Sequence, residues 1–136
     1  MNLELERALK IQESKLKELL KLLDEQYKLI LSKDIFGLEA IAEEIQVKNR
    51  EVAQIEIERR KLLGDKSIKE YILTSNNINL DDSYRSINKL LNEMILQKDT
   101  NDLLIKQQLS FTNKLLNLIN PKRDIPTYNS YGSIKR

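Results

Sequence analysis

The sequence predicts an all-α protein: an elongated antiparallel helical hairpin, a long third helix packed coiled-coil fashion, and an irregular C-terminal tail. Three observations carry this. Leucine and isoleucine recur every seven residues over long stretches, the period of a helix stripe that needs a partner. Three glycines and two prolines in 136 residues leave few turns for strands. Charged residues reach 32% while aromatics stay at 5% and tryptophan is absent, the composition of long amphipathic helices.

The first helix is expected at about residues 3–31. Leu9, Leu16, Leu23 and Ile30 form the heptad row, with Leu5 and Leu19 at the complementary spacing and Leu20 and Tyr27 widening it. Gln12 and Gln26 interrupt that row. The boundary is Ser32-Lys33-Asp34, where the Asp34 carboxylate can accept the free N–H groups of a helix start.

A second helix follows at about residues 35–63. Its row is Leu38, Ile41, Ile45, Val52, Ile55 and Leu62, and Gly64 is placed as the C-terminal cap. Lys48 and Arg59 occupy row positions where an apolar residue is expected. So short a connection folds the two helices into an antiparallel hairpin. Its register sets Ile30 near Leu38, Leu23 near Ile45, Leu16 near Val52, Gln12 near Ile55 and Leu9 near Arg59.

A short helix at about 67–73 presents Ile68, Tyr71 and Ile72, and residues 74–79 read as loop because Ser, Thr and Asn compete for backbone hydrogen bonds. Asn79 or Asp81 would cap the third helix, expected at 81–120 and stopped by Pro121. Residues 1–120 are thus expected as one helical domain and 121–136 as a flexible basic tail. The tail holds Lys122, Arg123, Lys135 and Arg136 against Asp124, so it carries +3 while the first 120 residues carry −1.

These features exclude much chemistry. Without histidine or cysteine there is no disulfide, no thiolate nucleophile and no Cys/His metal site. Carboxylate neighbours such as Glu43-Glu44 and Asp81-Asp82 point apart on a helix, and no Gly-rich phosphate loop is present. An enzyme, a cofactor and a bound metal are therefore not expected. A near-neutral body offers no stripe for nucleic acid. No apolar run is long enough to insert in a membrane, and residues 1–6 lack the pattern of a secretion signal. A cytoplasmic protein is expected.

The interrupting polar residues admit two readings. The stems of Lys48 and Arg59 can snorkel over the hairpin, with their heads on solvent or a carboxylate. Alternatively they fix register or bind a partner, and Asn101 poses the same choice. The third helix changes along its length: Ile87, Leu90, Leu91 and Met94 make an ordinary row, then Gln97, Lys98, Asn101 and Gln108 make the middle polar. Leu104 and Ile105 persist through it, and in the last turns Leu109, Phe111, Leu115, Leu116, Leu118 and Ile119 spread over more than one face. They are either core or a surface for a partner's amphipathic helix. Tyr128 and Tyr131 in the tail are candidate docking anchors.

In order along the chain stand Leu19-Leu20-x-x-Leu23, Gln26, Asp34-x-x-x-Leu38-x-x-Ile41, Lys48, Ile55-Glu56-x-Glu58-Arg59, Leu62-Leu63, Lys98-x-x-Asn101-x-x-Leu104 and Tyr131-Gly132. This order resembles the FlgN family of flagellar type III export chaperones. The resemblance implies a chaperone for the hook–filament junction (hook-associated) proteins. It would hold their terminal helical segments soluble and unassembled, and deliver them to the cytoplasmic domain of the membrane export gate. The apolar end of the third helix offers a surface for such a segment, so client binding is expected on Leu104, Leu109, Phe111, Leu115, Leu116 and Ile119, and the Tyr-Gly match implies gate docking at Tyr131 and Gly132. Two alternatives stand beside it. One is a self-associating antiparallel coiled-coil module, a homodimer among its forms. The other is a chaperone for flagellin or the filament cap.

Overall fold

The structure, a computed structural model, describes residues 2–120 and the backbone of 127–128 and 134–135. Four helices carry the chain: α1 (Asn2–Ser32), α2 (Ile35–Leu63), α3 (Ile68–Ser75) and α4 (Ile78–Ile119). Extended backbone is confined, among the described residues, to the antiparallel pair β1 (Thr127–Tyr128) and β2 (Ile134–Lys135). The all-α expectation holds. The chain divides into two compact units, Met1–Asn101 and Asp102–Arg136.

The hairpin turn is built as its residues dictate. Lys33 takes a positive φ of 57° and returns its N–H to the Ile30 carbonyl, closing α1. Asp34 then caps α2: its Oδ1 accepts the Gly37 N–H at 2.9 Å. A Cβ at Gly37 would stand 2.7 Å from Asp34 Oδ2 and 2.8 Å from a Leu29 methyl carbon. Glycine is what lets the carboxylate close on the helix end. Gly64 ends α2 at φ 62° with its N–H on the Arg60 carbonyl.

The next connection is tighter than expected. The loop foreseen at 74–79 shrinks to two residues, and α4 starts at Ile78 rather than 81. Asn76 adopts the left-handed conformation that asparagine tolerates. Asn77, not Asn79 or Asp81, supplies the cap, its Oδ1 accepting the Asn79 and Leu80 N–H groups. The short helix runs two residues further than the expected 67–73, capped by Ser67 on the Glu70 N–H.

Within the first unit α1 is the central helix. Leu5, Leu9 and Leu16 of α1 cluster with Leu63 of α2, Ile72 of α3, and Leu80, Ile87 and Leu90 of α4. Each such leucine or isoleucine contributes roughly 1.5–3 kcal/mol by leaving water. Polar pairs fix the directions. Glu18–Lys48, Lys15–Glu51 and Gln12–Arg59 descend along α2 as α1 ascends, so those helices are antiparallel. Glu6–Asn77, Glu13–Ser86 and Gln26–Asn101 ascend together, so α4 up to Asn101 runs parallel to α1.

Candidate functional site

Four of the polar interruptions of the apolar rows pair with one another, Gln12 with Arg59 and Gln26 with Asn101. Arg59 Nη1 donates to Gln12 Oε1 at 3.0 Å. The expected register put Leu9 opposite Arg59. The guanidinium instead reaches Gln12 because side chains lean toward their own helix's N-terminus, here the direction of rising α1 numbers. Gln12 is buried, and burial lowers the Arg59 pKa from its ordinary value, opposed by the nearby Glu56 carboxylate. The buried Arg59 Nε has no hydrogen-bond partner among the described residues.

Lys48 does what a snorkelling lysine does. Its Nζ lies 2.6 Å from Glu18 Oε2 and 2.8 Å from Glu51 Oε2, and Lys15 adds a contact of 3.2 Å to the same Glu51 oxygen. That buried oxygen is held by two ammonium groups rather than by a directional hydrogen bond. The Lys48 ammonium holds both carboxyls below the usual glutamate range, with Lys15 adding to the effect on Glu51, and the two carboxylates raise the Lys48 pKa in return. Beside this quartet lies an open groove of about 800 Å³ between α1 and α2, floored by Leu22, Ala40 and Val47 and rimmed by Glu25, Glu43 and Glu44.

Asn101 is a register device. It is 0% exposed, donates to the Leu23 carbonyl at 2.9 Å and to Gln26 Oε1 at 3.0 Å, and accepts from Gln97 at 2.9 Å. The two seam glutamines of α1 therefore each meet a polar residue of another helix. A leucine at 101 would leave Gln26 and Gln97 short of these bonds, so the asparagine specifies one axial position of α4 on α1.

Beyond Asn101 the same helix exposes apolar residues. Leu104 is half-buried, while Leu109, Phe111, Leu115, Leu116 and Ile119 are exposed, Phe111 at 63% and Leu115 at 45%. None of the six belongs to the core cluster. By helical period, Leu104, Phe111, Leu115 and Leu118 make one row and Ile105, Leu109, Leu116 and Ile119 the next. Together they cover roughly half the circumference of α4. Leu118, at 80% exposed, and Ile105 stand in the same two rows as the six residues expected to bind a client. Leu31, Ile35 and Phe36 at the hairpin turn are exposed too, a group the sequence reading passes over; its signal was an apolar pair directly after an N-cap. Tyr131 and Gly132 lie outside the described residues.

The described residues hold no group of three or more side chains suited to a metal. No described helix is long and apolar enough to cross a membrane. What the molecule presents is a hairpin scaffold, a third helix set in register by buried polar pairs, and an apolar helix face in solvent. That is a helical binding scaffold. The chain belongs to the FlgN protein family, whose pattern it matches over residues 1–136. It is in general terms a flagellar export chaperone. No curated protein and no solved structure matches it.

Proposed function

We propose that this cytoplasmic chaperone binds the terminal helical segments of hook-associated proteins on the α4 face made by Leu104, Leu109, Phe111, Leu115, Leu116 and Ile119. Binding keeps those segments soluble and unassembled until the client reaches the export gate. The observation that carries the reading is the exposure of a two-row apolar face on an ordered helix of a FlgN-family chain. A segment that assembles through coiled-coil contacts exposes an apolar stripe of its own, and such stripes pair helix to helix. Tyr131, next to Gly132, docks on the cytoplasmic domain of the gate.

The test is complex formation between the purified full chain and purified hook-associated proteins, with flagellin and the filament-cap protein as comparators. Leu115→Ala/Leu116→Ala should abolish the complex while helicity and melting stay nearly unchanged. Preferred binding of flagellin or cap protein would reassign the client. A defined homo-oligomer that binds none of them would replace the chaperone reading by a structural coiled coil. Tyr131→Ala should spare client binding and impair only export; loss of client affinity would overturn that assignment.

A further inference from the structure

The exposed half of α4 differs from the rest of the chain in charge as well as in exposure. All but one of the 21 carboxylates lie at or before Asp102, and the next after it is Asp124. From Leu103 to Asn120 the only charged side chains are Lys106 and Lys114. Neither forms an ion pair among the described residues, and both are exposed.

Their placement is not random with respect to the apolar face. Lys106 precedes Leu109 by three residues and so borders the Ile105–Leu109–Leu116–Ile119 row. Lys114 follows Phe111 by three and precedes Leu118 by four, so it borders the Leu104–Phe111–Leu115–Leu118 row. One free ammonium therefore stands at each edge of the face, and Asp102, one turn before Lys106, is the single carboxylate beside it within residues 102–120. In the hairpin, by contrast, Lys15, Lys17 and Lys48 are met by glutamates, Lys15 and Lys48 within the Lys15–Glu18–Lys48–Glu51 quartet.

We infer that the partner helix seated on this face carries carboxylates along both borders of its own apolar stripe. This deepens the proposed function and rests on residues 104–119 being the client surface. Apolar burial supplies affinity for any amphipathic helix. The two lysines select among them, since a basic border would meet like charge at both edges. An anionic membrane surface is the less favoured occupant, because a polybasic anchor draws on a cluster of four to eight cations and this face has two.

The probes are two synthetic amphipathic helical peptides with the same leucine–alanine stripe, one bordered by glutamates and the other by lysines. Binding to the full chain is read by fluorescence anisotropy at low and high salt. The glutamate peptide should bind about fivefold more tightly at low salt, from two exposed pairs. That gap should close at high salt and reverse in Lys106→Glu/Lys114→Glu, whose helicity is checked by circular dichroism. Equal affinities, preference for the lysine peptide, or a preference untouched by the double substitution would each overturn the inference. So would tighter binding to phosphatidylglycerol vesicles than to the glutamate peptide. Failure of both peptides, with hook-associated proteins still lost in Leu115→Ala/Leu116→Ala, would overturn it and leave the client surface standing. If that leucine pair proves dispensable for hook-associated proteins, the surface assignment itself falls.

Discussion

Two halves of one helix carry similar apolar rows and opposite fates. Before Asp102, α4 buries Leu80, Ile87 and Leu90, and even the polar Ser83 and Asn101 are out of solvent. After it, Leu109, Phe111, Leu115, Leu116, Leu118 and Ile119 are all exposed. Hydrophobicity does not separate the halves; the second is if anything the greasier. What separates them is whether a complementary helix face is present, because an apolar stripe is stabilised only by what covers it. The half with cover can include an asparagine because Leu23, Gln26 and Gln97 satisfy it.

That contrast can be broken most sharply by paired truncations. Leu16→Ala, in the core, should destabilise by about 2–5 kcal/mol in urea unfolding, whereas Leu115→Ala should cost about 0.5 kcal/mol or less, as an exposed position. Comparable losses would mean that residues 104–119 are core. Asn101→Ala should come next, at about 1–3 kcal/mol, because Gln26 and Gln97 lose a partner and a buried volume empties. Asn101→Leu refines the point: if it restores stability without restoring a single conformation by NMR, the asparagine acts through register.

Asp34→Ala tests the turn that makes the hairpin. Losing the carboxylate on the Gly37 N–H should cost about 1 kcal/mol, and Gly37→Ala should destabilise in the same direction by forcing that carboxylate away. The smallest effect is in acid. Glu18 and Glu51 have lowered folded-state pKa values, so their contribution is present above the ordinary glutamate value of 4.5 and lost as pH falls through the folded values. Lys48→Met should flatten the unfolding midpoint below pH 4.5; an unchanged acid profile would show that the quartet contributes nothing measurable.

Much of the scaffold was legible from spacing. The heptad rows located α1 and α2, and Asp34 and Gly64 marked their ends as observed. The start of α4 was not legible, because Asn76, Asn77 and Asn79 are all competent turn or cap residues. Only the geometry of the α3–α4 corner selects Asn77. Gln12, Gln26, Lys48, Arg59 and Asn101 were each visible as interruptions. The pairing of Gln12 with Arg59 and of Gln26 with Asn101 was hidden, since partners 47 and 75 residues apart leave no local trace.

By itself the sequence determined the helices, the hairpin and the absence of thiol or imidazole chemistry, because these follow from local period, capping and composition. It also set out the apolar residues of the candidate client face. Whether they lay in a core or in solvent was decided only by the tertiary structure, because an apolar row is identical in sequence whichever surface it meets. The same holds for Asn101: its side chain became a register device only when α1 brought the Leu23 carbonyl and Gln26 within 3.0 Å.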